Sequence, residues 1–181
     1  MSQAFCSSSG PAIGLAYAGY VPSLVEEHPQ SVDHGEIPFE LLQHDPGVLA
    51  IGERKPIVLH CASLSLAGTV PCSEAVVEQI AGAIERTATP WLGEHLAYVT
   101  AQAAPSTPAG GIPVHEVGYT VAPPMNERTL ERTALAAERY QNRLGVPLLV
   151  ENSPLYYHSP SSTLSQVEFM ARLCDLAPVG P

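Results

Sequence analysis

The sequence predicts an α/β fold of repeated strand–helix units, a TIM-type (β/α) barrel that is truncated after about five rounds. The leading observation is a set of three short apolar segments that each end in a metal-binding or acid/base side chain: Ile57-Val58-Leu59-His60, Trp91-Leu92-Gly93-Glu94-His95 and Pro147-Leu148-Leu149-Val150-Glu151. Such runs lack the alternation of a half-exposed strand, as expected of parallel strands covered on both faces. The second observation is that stretches of helical periodicity separate them. The third is position, because α/β barrels build their sites from polar groups at the carboxyl ends of their strands.

In chain order, residues 1–12 read as a flexible leader of small and polar residues, and 13–181 as the amino-terminal portion of one barrel domain. A first strand is expected at Ile13-Gly14-Leu15-Ala16-Tyr17, then a short helix from Val21 to Glu27 with Pro22 in its first turn and Pro29 after its end. A second strand runs from Val32 to Phe39, cut short by Pro38, and Leu41 to Ile51 mixes helix and loop before a third strand opens at Ile57. Val76, Val77, Ile80 and Ile84 recur at helical spacing between Glu74 and Arg86, with Ser73 as the cap. A fourth strand is expected over Trp91 to Val99, followed by a long Ala/Pro/Gly-rich mobile loop through Pro113.

Asn126 then caps a helix with Leu130, Ala134, Ala137, Tyr140, Gln141 and Leu144 down one side, and Gly145 stops it. The fifth strand ends at Glu151. Ser165 and Glu168 form a capping-box pattern at the start of a helix carrying Phe169, Met170 and Leu173. An eight-stranded barrel typically needs ~250 residues, and a sixth strand is expected to begin near Val179.

Composition narrows the function classes. A net charge of -10 argues against nucleic acid as a partner, because neutralising phosphates requires clustered Lys and Arg. The basic residues are scattered, and Arg128 and Arg132 share a helix with Glu127 and Glu131, so their local fields are expected to cancel. The sequence contains neither a run of the ~20 apolar residues of a membrane span nor a secretion signal at its start, which sets a cytoplasmic expectation without membrane partners. Cys6, Cys61, Cys72 and Cys174 lie far apart with no CxxC pair, so neither a disulfide framework nor a zinc ribbon is expected.

His60, His95 and Glu151 are the candidate metal ligands, since strand ends of one barrel layer deliver side chains to one mouth despite wide sequence separation. Two imidazoles and a carboxylate suit iron(II) or another borderline divalent ion, manganese and zinc included. Glu94 points away from His95 in a regular strand and reads as a supporting carboxylate. Glu36 and Glu40 are candidates for orienting a ligand or meeting substrate, together with Ser65 and Asn152; His34 shares a face with Glu36. His28, His44, His115 and His158 stand in polar or Pro-rich settings and are expected in solvent. No residue is assigned a catalytic role.

These residues carry a resemblance to a known family. Gly14-Leu15, Val32-Asp33-His34-Gly35-Glu36-Ile37-Pro38-Phe39-Glu40, His60-Cys61-Ala62-Ser63-Leu64-Ser65-Leu66-Ala67-Gly68, Gly93-Glu94-His95-Leu96-Ala97-Tyr98, Pro147 to Ser153 and Leu164 to Phe169 occur in the order that family shows. The chain resembles the amino-terminal part of the multinuclear non-haem iron-dependent oxidative enzymes, long catalogued as domain-of-unknown-function family 692 and including methanobactin-biosynthesis oxidases. The match covers Ile13 to Pro178. Two departures stand out: Ala16-Tyr17 follow Gly14-Leu15 where the family usually has an Arg, and Cys61 replaces a smaller residue.

The resemblance implies a TIM barrel that holds two or three iron ions and uses dioxygen to modify a ribosomally made precursor peptide, often at cysteine, during natural-product maturation. It implies a partner protein that delivers the peptide. It casts His60, His95 and Glu151 as the first three iron ligands and Glu36 and Glu40 as pocket carboxylates, with the remaining ligands beyond the sixth strand. A carboxyl-terminal half-barrel or a second copy of the chain is therefore an expected partner. Two other readings stay open: a divalent-metal sugar-isomerase-like or endonuclease-like barrel, and a non-catalytic half-barrel that acts in binding or assembly.

Overall fold

The computed structural model describes residues 11–42, 44–102 and 114–181. Its strands are β1 (Gly14–Ala16), β2 (His34–Pro38), β3 (Ile57–Cys61), β4 (Leu92–His95), β5 (Tyr98–Gln102), β6 (Val114–Val121), β7 (Leu148–Glu151) and β8 (Val179–Gly180). Its α-helices are α1 (Val21–Glu27), α2 (Pro46–Gly52), α3 (Glu74–Thr87), α4 (Glu127–Leu144) and α5 (Gln166–Leu176). Six strands form one sheet in the order β1-β2-β3-β4-β7-β8, with parallel pairing of β1 to β2, β2 to β3 and β7 to β8. This mostly parallel α/β sheet has the strand order of a partial TIM-type barrel. Two compact units are distinguished: the described residues through Cys61 with Glu78–Leu92, and Ala62–Val77 with Gly93–Pro181.

The first unit is built on β1, β2 and β3. Pro22 opens α1, where its missing N–H costs nothing, and Val21 and Val25 bury the helix. Ile37, Val48, Ile51, Leu59 and Ile80 are at most 1% exposed and form its apolar centre, and removing such side chains from water is the main folding force here. Thr89 finishes this unit's wiring: its buried hydroxyl donates to the Trp91 carbonyl at 2.6 Å and accepts from the Leu59 N–H at 3.0 Å. That pair of bonds fixes the residue directly before His60.

In the second unit, Asn126 caps α4 by accepting from the Thr129 N–H, and Gly145 ends the helix at φ +73°, a conformation that only glycine adopts without strain. Ser165 caps α5 through the Glu168 N–H. Leu130, Leu148, Phe169 and Leu173 are buried completely or nearly so. Arg172 of α5 grips both carboxylate oxygens of Glu127 on α4 at 2.6 and 2.7 Å. β8 then pairs with β7 through Leu148↔Val179 and Leu149↔Gly180, the sixth strand where it was expected.

One stretch departs from the sequence-based reading. The fourth strand does not continue from Trp91 to Val99: β4 stops at His95, the Ala97 N–H turns back to the His95 carbonyl at 2.7 Å, and the chain restarts as β5. β5 pairs antiparallel with β6, a strand the sequence did not announce. β6 is exposed along most of its length, so its residues carry no apolar period; ladder hydrogen bonds hold it instead. The expected mobile loop falls largely in residues 103–113, outside the described residues, as does the leader up to residue 10. No helix among the described residues is long and apolar enough to cross a membrane.

Candidate metal centre

β3 presents His60 one residue before its end, between buried Leu59 and buried Cys61. In the parallel register Glu36 lies opposite Val58 and Pro38 opposite His60. Because side chains alternate, Glu36 and His60 therefore share one face of the sheet. Glu36 Oε1 accordingly stands 3.2 Å from His60 Nδ1, with the imidazole 17% and the carboxylate side chain 44% exposed. Cys61, on the other face, donates its thiol to Glu40 Oε1 at 3.8 Å. Gly14 is opposite His34, and any Cβ at Gly14 would run into the His34 ring. The glycine of the Gly14-Leu15 pair thus makes room for an imidazole.

His95 ends β4 and Glu151 ends β7, and their approach is set by backbone. The Leu96 N–H donates to the Glu151 carbonyl at 2.7 Å, and the buried Ser153 hydroxyl donates to the Leu96 carbonyl at 2.5 Å. These bonds clamp the residues following each strand, and Glu151 Oε2 lies 3.4 Å from His95 Nδ1. Glu151 is the more open of the two, with 54% of its side chain exposed against 25% for His95.

β3, β4 and β7 are successive in the sheet. His60 of the first unit, and His95 and Glu151 of the second, each offer one ligand atom to a group that could hold a metal ion. Two neutral imidazole nitrogens and a carboxylate oxygen are a donor set for a borderline divalent ion, and iron(II) fits it as manganese and zinc do. An imidazole bound at one nitrogen to metal commonly holds a carboxylate at the other, which Glu36 is placed to supply for His60.

The other sequence candidates separate. Glu94 is completely buried on the strand face opposite His95, where its Oε2 accepts from the Leu64 N–H at 3.3 Å. It also acts at a distance: burial, and then the Glu94 charge, push the Cys72 thiol up to about 11. Ser65 is 4% exposed and lies at φ +52°, the left-handed region that L-residues rarely adopt. Its hydroxyl accepts from the Val99 N–H at 3.0 Å, and a Cβ on Gly68 would come within 2.7 Å of it. Ser65 therefore folds the loop after β3 onto β5. Asn152 is exposed next to Glu151, and Glu40 sits exposed on the turn Phe39–Leu41. His28, His44, His115 and His158 are exposed and stand outside the three-residue group.

Sequence reasoning missed Ser153 and Thr89 as positioning residues. Both are hydroxyl side chains buried beside a strand end, a combination that signals a satisfied buried hydrogen bond once burial is known.

Comparison with known proteins adds one strong and several weaker relations. Residues 13–180 match the family model described as RiPP precursor modification enzyme MbnB/TglH/ChrH. The chain is 29% identical over 133 residues to a UPF0276 protein of Neisseria meningitidis serogroup C, covering 72% of this chain and 42% of that protein. It is 30% identical over 129 residues to a UPF0276 protein of Pasteurella multocida, 71% of this chain and 38% of that protein. A UPF0276 protein of an Anaeromyxobacter species is 28% identical over 176 residues, 94% of this chain and 58% of that protein. The chain thus spans between about two fifths and three fifths of the length of these relatives.

Proposed function

Because the chain belongs to the MbnB/TglH/ChrH family of RiPP precursor modification enzymes, we propose that it forms the amino-terminal portion, residues 13–181, of a barrel that oxidises a ribosomally made precursor peptide at cysteine with iron and dioxygen. The observation that carries this reading is the family match over residues 13–180, and His60, His95 and Glu151 are the group that could hold a metal ion. When bound there, iron would supply one-electron redox chemistry toward dioxygen. His60 and His95 hold the metal as neutral imidazoles, and Glu151 contributes the charge that makes the site favourable for a dication. Glu36 accepts from His60 Nδ1 and keeps the other nitrogen directed to the metal. The clamp through Leu96 and Ser153 holds His95 and Glu151 at their spacing.

Glu40 and Asn152, exposed beside these residues in the chain, meet the peptide. Further ligands come from the part of the longer family members that lies outside this chain's span, supplied in the same polypeptide or by a second one. A peptide-delivering protein brings the substrate, and the setting is cytoplasmic.

Anaerobic iron(II) titration of the purified chain tests the assignment. Iron binding is expected to weaken at least about tenfold in each of His60→Ala, His95→Ala and Glu151→Ala, and by about 10- to 100-fold in Glu36→Gln, the range for a carboxylate that orients a ligand. Identical iron affinity and stoichiometry in the wild type and all three ligand variants would refute it.

A further inference from the structure

We propose that the cleft lined by the loop after β3 and the first turns of α4 docks an acidic segment of a peptide, whose carboxylates are taken by Arg128 and Arg132. Two cavities of about 460 and 690 Å³ share four residues, Gly68, Thr69, Arg128 and Arg132, so the arginines stand where the two spaces meet.

The two arginines are four residues apart on α4 and so are neighbours on one face, a like-charge arrangement that opposes itself without an anion. The sequence offered Glu127 as the neutralising partner, but both its carboxylate oxygens are engaged by Arg172. Glu131 also lines the smaller cavity and not the larger one. Arg132 is half-buried: one terminal nitrogen donates to the Ala67 carbonyl at 2.9 Å, while its buried Nε–H has no hydrogen-bond partner. Burial and the neighbouring Arg128 depress the Arg132 pKa, the direction expected of a cation short of an anion. Arg128 is exposed and makes no hydrogen bond or ion pair among the described residues.

The occupant follows from charge and size. A chain of net charge -10 repels acidic ligands over most of its surface, so an acidic ligand is directed to the place where cations are concentrated. The larger cavity exceeds the volume of one small anion and runs along β5 past Tyr98, Thr100 and Gln102. An extended peptide matches that space, with guanidinium forks suited to carboxylates. That the ligand is a peptide rests on the function proposed above.

The test is fluorescence polarisation on the metal-free full chain. The probes are a labelled Asp/Glu-rich peptide, its Asn/Gln counterpart, and inorganic phosphate as competitor. The acidic peptide is expected to bind and the neutral one not, with affinity falling about tenfold or more in Arg128→Gln and in Arg132→Gln. Arg143→Gln, which removes only the exposed pair with Glu74, should bind as wild type. Equal binding of both peptides, no effect of Arg128→Gln, or phosphate binding as tightly as the peptide would overturn the proposal; the last result would mark a free-anion site. Arg128 is exposed, so its variant keeps the test valid if Arg132→Gln unfolds. Loss of peptide binding with iron titration intact defeats this inference alone, and the reverse result defeats the metal reading alone.

Discussion

The two histidine–carboxylate pairs look alike in distance and differ in how they are held. His60 and Glu36 face each other at 3.2 Å because two regular parallel strands put them on one side of a sheet. His95 and Glu151 stand 3.4 Å apart at strand ends, where regular pairing has given way to the Leu96 and Ser153 hydrogen bonds. The first pair inherits its geometry from strand periodicity. The second depends on a few polar groups, whose loss would move it without unfolding a strand. A metal that needs both would be sensitive to two different kinds of damage.

The largest effect is expected at the strand that carries the first pair. Leu59→Ala removes a side chain with no exposure and should cost about 2–5 kcal/mol, lowering the Tm by of order ten degrees in a thermal melt. A loss below about 1 kcal/mol would mean that β3 is not the rigid member of the comparison. Next comes Ser153→Ala, which leaves the buried Leu96 carbonyl without that donor and should cost about 1–3 kcal/mol. In NMR spectra of the histidine rings it should shift His95 and leave His60 in place; equal shifts in both would erase the distinction drawn between the pairs.

The smallest expected effect separates Glu94 from its neighbour His95. With Cys72 held near about 11, alkylation of this thiol at pH 8 should run about a hundredfold slower than that of an ordinary cysteine, because only the thiolate reacts. The sign for Glu94→Gln is acceleration: removing the negative charge lowers the Cys72 pKa and raises the thiolate fraction at fixed pH. The same variant should titrate with iron like the wild type. Loss of iron binding in a folded Glu94→Gln protein would move Glu94 into the metal group.

Where burial writes a pattern into the chain, the sequence was readable. The segment of β3 is apolar up to His60 because both faces are covered, and α4 shows its period from Leu130 to Tyr140 because one face is. Asn126, Gly145 and Ser165 mark helix ends through local bonds that need no tertiary information. β6 was not readable, since an exposed hairpin strand buries too little to select apolar residues at period two. The break between His95 and Tyr98 escaped notice for the opposite reason, because buried Leu96 and Ala97 extend the apolar run of β4.

The sequence by itself determined the order of the helices and of the six strands of the main sheet, the caps, the family resemblance and the identity of the three ligand candidates, since each is a matter of local propensity, periodicity, motif or residue type. Tertiary structure alone decided that Glu36 faces His60, that the Ser65 hydroxyl ties its loop to Val99, and that Glu127 pairs with Arg172 of another helix. Those outcomes turn on which groups 24, 34 or 45 residues apart come within hydrogen-bond reach. Such distances arise only when strands pair and helices pack, because no residue carries in its own chemistry the address of a distant partner.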